Sequence, residues 1–172
     1  MMKRSLIIFS IAGLALFFAG CKSETNEKIN LPSPVYNYAK IEDSLFTIKQ
    51  AVYVPIYSNI YLMDGSKTQQ LSATLSVRNI SFKDSIYVTS VNYYGSQGEL
   101  LKEYTKSAIL VKPMSSIEFV VEQAETKGGP GANFVVNWGA VRSANSPLIQ
   151  AIINNNSHAS VSFVTYGIVI KD

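Results

Sequence analysis

The stretch "QLSATLSVRN", residues 70–79, decides the fold. Apolar and polar side chains alternate along it, and the apolar positions are Leu71, Ala73, Leu75 and Val77. Successive side chains of a β-strand point to opposite faces, so this alternation predicts a strand with one face in a core and the other in water. The segment "IEFVVE", residues 117–122, repeats the pattern. Its predicted inward side chains are Ile117, Phe119 and Val121.

The rest of the domain consists of short apolar segments rich in Val, Ile, Tyr and Phe, separated by turn residues. No long window keeps a helical period, which indicates an all-β fold. Further strands are predicted at 45–54, 56–62, 86–94, 99–104, 133–139 and 160–170. Residues 146–153 are compatible with either a short helix or a buried strand. The pattern predicts a two-sheet β-sandwich of immunoglobulin-like character, with a small β-barrel as the alternative.

The N-terminus has the features of an export signal. Lys3 and Arg4 precede an apolar run that is shorter than the ~20 residues a membrane-spanning helix needs, which predicts a signal peptide over residues 1–20. The sequence Phe-Ala-Gly-Cys at 18–21 resembles the lipobox of bacterial lipoproteins. Cys21, the one cysteine of the chain, is therefore predicted to carry palmitate or related acyl chains, with membrane lipid as its partner.

The residues after the cysteine bear on location and domain boundaries. Lys22 stands where an aspartate would resemble an inner-membrane retention signal, so the periplasmic side of the outer membrane is predicted. Residues 21–44 are polar and include Pro32 and Pro34, as expected for the lipidated cysteine and a flexible tether. The sandwich domain is then predicted to occupy residues 45–172.

Charge and composition argue against several classes of function. Without Lys3 and Arg4 the 15 basic residues become 13, against 12 acidic ones, so nothing indicates a nucleic-acid partner. His158 is the one histidine, which leaves zinc and a Ser-His-Asp triad without their usual residues. We therefore expect no metal, no cofactor and no enzymatic activity.

The stretch "KGGPGANFVVNW", residues 127–138, has two interpretations. Its glycines lack the lysine, serine or threonine and the helix start that a phosphate-binding loop needs. They could form a tight corner that leads Phe134, Val136 and Trp138 into the core. Alternatively, the loop contacts a partner, through Lys127, Gly128, Gly129, Gly131 and Asn133.

Three further groups are candidates for function. Tyr53, Tyr57 and Tyr61 have the even spacing that would place them on one strand face, where they could stack on sugar rings or on a partner. Outward carboxylates near Glu99 or Glu118 are the residues a carbohydrate-active enzyme would use. Two Asp-Ser-aliphatic motifs look like O-glycosylation signals, and their acceptors would be Ser44 and Ser85.

Several stretches follow one another along the domain: "AVYVPIYSNIY", "LSATLSVRN", "SVNYY" with "GELLKEY", "GGPGANFVVNW" and "SFVTYGIVI". In this order they resemble the bacterial family catalogued as domain of unknown function 3124, over residues 45–170. The resemblance implies a small exported or lipid-anchored protein and supplies no activity, substrate or catalytic residue.

The resulting hypothesis is a membrane-anchored envelope lipoprotein that acts as a non-catalytic binding or scaffolding module. Its partner would be another envelope protein or a glycan. The alternative is a carbohydrate-binding or carbohydrate-active envelope protein.

Overall fold

The structure, a computed structural model, describes residues 35–142, 144–156 and 160–171. The described chain is built from β-strands and one short 3₁₀ helix at Asp43–Leu45. The strands are β1 (Ile48–Pro55), β2 (Asn59–Leu62), β3 (Lys67–Gln70), β4 (Ser72–Arg78), β5 (Ile86–Tyr94), β6 (Leu100–Thr105), β7 (Ile109–Val111), β8 (Ser116–Val121), β9 (Asn133–Ala140), β10 (Leu148–Asn154), β11 (Ser162–Tyr166) and β12 (Ile168–Val169).

The strands form two main antiparallel sheets, which we name A and C. Sheet A has the order β12-β1-β9-β5-β6, with β7 also paired to β5, and sheet C has the order β11-β10-β4-β8. Strands β2 and β3 form a separate hairpin. The sheets do not close into a barrel, so the predicted two-sheet sandwich is confirmed and the barrel alternative is wrong.

The core lies between the two sheets, and the predicted alternation is confirmed at each strand that carried it. The side chains of Leu71, directly before β4, and of Ala73, Leu75 and Val77 within it are buried, and in β8 so are those of Ile117, Phe119 and Val121. In β9 the buried side chains include Phe134, Val136 and Trp138. Burial of a large apolar side chain contributes about 1.5–3 kcal/mol, so this shared interior is the main source of stability.

The arrangement of the central strands follows the immunoglobulin pattern, but the flanks differ. In an immunoglobulin domain the second strand lies between the first and the fifth, and the sixth lies between the third and the seventh. Here β4 pairs with β8 and β9 pairs with β5 in the same way. The remaining place beside β9 is taken by the N-terminal β1, and that beside β4 by the C-terminal β10.

The structure resolves the ambiguity at residues 146–153, where it has strand β10. It corrects the single strand predicted at 160–170, because this segment divides at Gly167 into β11, which pairs with sheet C, and β12, which pairs with sheet A. A Cβ atom on Gly167 would lie 2.5 Å from Cγ1 of Val52. Only a residue without a side chain therefore fits where the strand passes between the sheets.

The folded unit begins earlier than the predicted boundary at residue 45. It already includes residues 37–39, which run along the free edge of β7. The backbone N–H of Leu110 donates a hydrogen bond to the Asn37 carbonyl, and that of Ala39 donates one to the Ala108 carbonyl, both at 2.8 Å. The aromatic residues near the start of this segment make it part of the domain, although its polar composition resembles a tether.

Candidate functional site

The glycine corner at residues 128–131 lies at the end of the sandwich where β9 begins, which we call the apical end. Two of its backbone carbonyls accept hydrogen bonds from neighbouring loops. The Gly128 carbonyl accepts hydrogen bonds from the N–H and the hydroxyl of Ser96, both at 2.8 Å. The Gly129 carbonyl accepts from the N–H and the hydroxyl of Ser58, both at 3.2 Å. The corner is thus fixed to the β5–β6 turn and to the segment before β2.

Two of its glycines are required by the geometry. Gly128 is buried, and a Cβ atom there would lie 1.9 Å from the Tyr93 hydroxyl oxygen. Gly129 has a φ of +75°, in the left-handed region that glycine adopts most readily. These constraints support the interpretation of the stretch as a tight corner into the core.

The same geometry limits the predicted partner contact at this corner. Gly128 is buried against Tyr93, so its own surface is not open to a partner in this structure, and its predicted role in contact stays a prediction. Lys127 and Gly131 are exposed, and Gly129 and Asn133 are half-buried. Partner binding by these four residues stays a prediction.

The three tyrosines predicted to share a strand face do not do so. Tyr53 lies in β1, Tyr61 lies in the separate β2–β3 hairpin, and Tyr57 lies between them with its ring against Phe163, at 5.6 Å between centroids. The prediction is wrong because β1 ends at Pro55, where the chain leaves the sheet.

The structure brings Tyr53 and Asn133 together on the outer face of sheet A. Cross-strand partners in an antiparallel sheet place their side chains on the same face. Tyr53 is paired with Val135 and Ile168, and Asn133 is paired with Pro55 and Tyr94. Tyr94 is in turn paired with Leu100. We call this set the outer-face patch; its residues are Tyr53, Tyr94, Leu100, Asn133, Val135 and Ile168.

The outer-face patch is largely apolar although it faces solvent. The exposed fraction is 67% for Ile168, 48% for Leu100 and 37% for Tyr53. The solvent face of an antiparallel sheet is usually polar, and exposed apolar groups that adjoin one another mark interaction sites. Four of its members escaped sequence analysis, because alternation along a strand does not reveal which strands are neighbours.

A cavity of about 370 Å³ opens on the side of the sandwich where β6 faces β8. Its lining includes Tyr93, Leu101, Lys102, Tyr104, Glu122 and Glu125. The ammonium of Lys102 lies 4.2 Å from the centroid of the Tyr104 ring, within cation–π distance. The cavity therefore combines aromatic surface, one cation and two carboxylates.

Two tyrosine hydroxyls bond the free edge of β8 beside this cavity. Tyr104 donates to the Val120 carbonyl at 2.6 Å, and Tyr36 donates to the Glu118 carbonyl at 2.7 Å. Both rings contact Phe119, with centroids at 5.5 and 5.3 Å. Burial is the main cause that raises the pKa of Tyr104, and the charges of Glu125 and Glu122 raise this pKa further. Burial also raises the pKa of Tyr36.

The carboxylates predicted for a carbohydrate-active enzyme lie outside this cavity and accept hydrogen bonds from nearby residues. Glu118 accepts a hydrogen bond from the Ser116 hydroxyl at 2.6 Å, and Glu99 accepts one from the Gln97 N–H at 3.0 Å. Neither residue lines the cavity, where Glu122 and Glu125 lie instead. Within the described part of the chain, no three His, Cys, Asp or Glu residues are grouped so that they could hold a metal ion.

The remaining candidates are distributed widely. Ser44 is exposed within the 3₁₀ helix, and Ser85 is half-buried directly before β5. Cys21 and His158 lie outside the described residues. Residues 35–142, 144–156 and 160–171 contain no helix that is long and apolar enough to cross a membrane.

Fold and surface define a small two-sheet β-sandwich with an apolar patch on one outer face. Residues 49–170 match the family described as "Protein of unknown function (DUF3124)", and the chain belongs to this family. The predicted family is therefore confirmed. No curated protein and no solved structure shows a significant match to the chain.

Proposed function

We propose that this protein is a lipid-anchored, non-catalytic binding module of the bacterial cell envelope, and that its outer-face patch binds a partner protein. The observation that carries the proposal is the apolar character of this patch on a sheet face open to solvent. Aromatic residues are enriched where proteins bind one another, and the patch has Tyr94 beside Leu100 and Tyr53 beside Ile168. Asn133 adds a side-chain amide with two donors and an acceptor.

The anchoring part of the proposal rests on the N-terminal sequence. The lipobox-like residues before Cys21 and the apolar run that precedes them support export and acylation. Two or more acyl chains make attachment stable, since each buried methylene contributes about 0.8 kcal/mol. The outer membrane, on its periplasmic side, is the proposed location because Lys22 follows the cysteine.

Site-specific photocross-linking in the native host tests the patch. The full-length protein carries p-benzoylphenylalanine in place of Tyr94, and a second variant carries it in place of Tyr61. Tyr61 is the matched control because it is an exposed tyrosine outside the patch. We expect one reproducible cross-linked protein from position 94 and none from position 61.

Patch substitutions complete this test. Tyr53→Ser combined with Leu100→Ser should reduce the cross-linked product at least tenfold, and Tyr61→Ser should leave it unchanged. Equal products from both positions, or no product from position 94, would remove the outer-face patch from the proposal.

The second candidate function is carbohydrate binding or turnover, which the cavity between β6 and β8 favours. Its tyrosine rings offer stacking surfaces, and Glu122 and Glu125 offer carboxylates. A glycan array with the wild-type protein tests binding. Loss of a glycan signal on Tyr104→Ala but not on Tyr61→Ala would support this candidate.

Glycosylation of the protein itself is a separate prediction. Ser44 is exposed and accessible to a transferase, whereas Ser85 is half-buried. We therefore expect modification at Ser44 rather than at Ser85. Intact-mass measurement of the protein from its native host checks this: Ser44→Ala should remove any added hexose, and the absence of a hexose in the wild type would exclude the prediction.

A further inference from the structure

The end of the sandwich opposite the glycine corner, which we call the basal end, carries a cluster of exposed apolar side chains. Loop 79–85 and loop 112–115 meet there, with the Met114 N–H donating to the Ser81 carbonyl at 3.2 Å. Phe82 is 82% exposed, Met114 61% and Ile80 46%. We call the set of Ile80, Phe82, Lys83, Lys112 and Met114 the basal tip.

The backbone of the basal tip is fixed by a buried side chain. Asn79 is 2% exposed, and its Nδ2 donates to the carbonyls of Asp84 at 2.8 Å, Val111 at 3.1 Å and Lys112 at 3.2 Å. The Asn79 N–H also donates to the Ser115 carbonyl, at 2.9 Å. One asparagine therefore joins both loops. The apolar side chains project from a hydrogen-bonded platform, which holds them outward.

The backbone conformation at Met114 also indicates that the apolar side chains of the basal tip are held outward. Its φ is +58°, in the left-handed region that residues other than glycine rarely adopt. Such a residue carries a conformational cost in the folded state. Met114 is exposed to solvent, so burial of its side chain does not offset this cost.

The charges at the basal tip complement its apolar residues. Lys83 and Lys112 are exposed and adjoin Phe82 and Met114 along their loops. Aromatic and aliphatic side chains beside lysines are the combination with which peripheral proteins bind the interface of an anionic bilayer. The lysine stems can lie along the apolar surface while the ammonium groups reach the headgroups.

The path of the chain places its N-terminal side at the same end. Tyr38 pairs with Ile109 in antiparallel register, and β7 runs on from Ile109 to Val111 and Lys112. Asn37 therefore lies beside Leu110, near the basal end of β7. The segment from Cys21 to Val35 has a fully extended reach of about 50 Å. An acyl group on Cys21 and the basal tip can thus contact one membrane.

We propose that the basal tip inserts Phe82, Met114 and Ile80 into the interfacial layer of the anionic bilayer to which Cys21 is anchored. This inference rests on the proposed lipid anchoring and adds a second point of contact to it. Insertion of the basal tip, with the tether leaving the domain near the same end, orients the sandwich upright. The apical rows of the outer-face patch, from Asn133 to Leu100, are then directed away from the membrane.

A pair of matched cysteine variants tests the insertion. Met114→Cys and Met63→Cys replace the same residue type, both in left-handed backbone and both exposed, at opposite ends of the molecule. Cys21 is the one native cysteine, so the introduced thiol is the single labelling site once Cys21 is acylated. The full-length acylated variants are labelled with the environment-sensitive dye NBD and reconstituted into vesicles of phosphatidylcholine and phosphatidylglycerol.

We expect the Met114→Cys label to show blue-shifted emission and a several-fold gain in intensity on vesicles, while the Met63→Cys label keeps its spectrum in water. Phe82→Ser should reduce the shift at position 114. Phe82→Cys is the second labelling position if Met114→Cys does not fold, and its label should shift in the same direction.

Vesicle flotation of the same samples separates the two proposals. Protein that does not float with vesicles contradicts the lipid anchor itself. Protein that floats while its basal label keeps the spectrum in water overturns the basal insertion and leaves the anchor in place. Equal shifts at the basal position and at position 63 also overturn it, because the molecule would then have no fixed orientation.

Discussion

Gly128 occupies the most crowded position in the glycine corner. Gly128→Ala would place a methyl group 1.9 Å from the Tyr93 hydroxyl oxygen, inside a region that is already filled. We expect it to lower the free energy of unfolding by about 1–3 kcal/mol, as overpacking of a core does. Urea denaturation followed by circular dichroism measures this change.

Gly131→Ala is the control for that substitution. Gly131 is exposed, has no left-handed φ, and its nearest neighbour would be the Ser96 hydroxyl at 3.3 Å. A change of no more than about 0.5 kcal/mol is expected at this surface position. Equal losses for the two variants would show that the corner is restricted by its backbone rather than by contact with Tyr93.

Tyr93 and Tyr104 are neighbouring tyrosines whose hydroxyls differ in their hydrogen bonding. The Tyr104 hydroxyl donates to the Val120 carbonyl, whereas the buried Tyr93 hydroxyl lies near Ser58 without a hydrogen bond of good geometry among the described residues. Tyr104→Phe should therefore cost about 0.5–1.5 kcal/mol, and Tyr93→Phe should be neutral or stabilising. Thermal denaturation of both variants checks this. A marked loss for Tyr93→Phe would mean that its hydroxyl is satisfied by water.

At the scale of elements, the N-terminal segment 35–39 closes one side of the sandwich. A protein that begins at Leu45, the boundary predicted from sequence, lacks Tyr36. It therefore loses the stacking of that ring on Phe119 and the hydrogen bond from its hydroxyl to the Glu118 carbonyl. We expect it to melt several degrees below a protein that begins at Pro34, since about 1 kcal/mol shifts the melting temperature of a small domain by about 2–8 °C. Identical melting curves would show that this segment contributes nothing to stability.

The sequence predicts the longer strands that have one face in the core and misses two short ones. Alternation identified β4, β8 and β9 because their inward residues are apolar and most of their outward ones are polar. Strand β3 has the sequence "KTQQ" and pairs only within a hairpin, so it has no apolar face to detect. Strand β7 is three residues long, too short to show a period.

The candidate site was predictable only in part, for a related reason. Tyr53 and Asn133 were identified from their own segments, but Tyr94, Leu100 and Ile168 join them through strand pairing across sheet A. Pairing depends on strand order, which the sequence pattern leaves open. Gly167 was missed because its role, a close approach between β11–β12 and β1, depends on the same order.

At the scale of the whole molecule, buried tyrosines make stability depend on alkaline pH. The pKa of Tyr104, Tyr93 and Tyr36 is raised in the folded state, chiefly by burial. The unfolded chain then loses these protons first, near a pKa of about 10. Their contribution is complete below about pH 10 and is lost as pH rises above it.

The urea midpoint should therefore stay level up to about pH 10 and fall beyond it. Tyr104→Phe should make the fall shallower, because the tyrosine with the largest rise in pKa is then absent. Tyr61→Phe is the control, since that side chain is exposed. A profile that is unchanged by Tyr104→Phe would contradict the assignment of the alkaline loss to this residue.

The passage of the chain from sheet C to sheet A at Gly167 also determines where the two sheets can separate transiently. On that side the two sheets share a continuous strand, so they cannot separate without breaking the pairing of β11 or of β12. On the opposite side β8 is joined to β6 through Tyr104 and to the N-terminal segment through Tyr36, rather than through a shared strand. Transient opening is thus confined to the side of the cavity, and amide protons at the edges of β6 and β8 will exchange with solvent before those of β9 and β10.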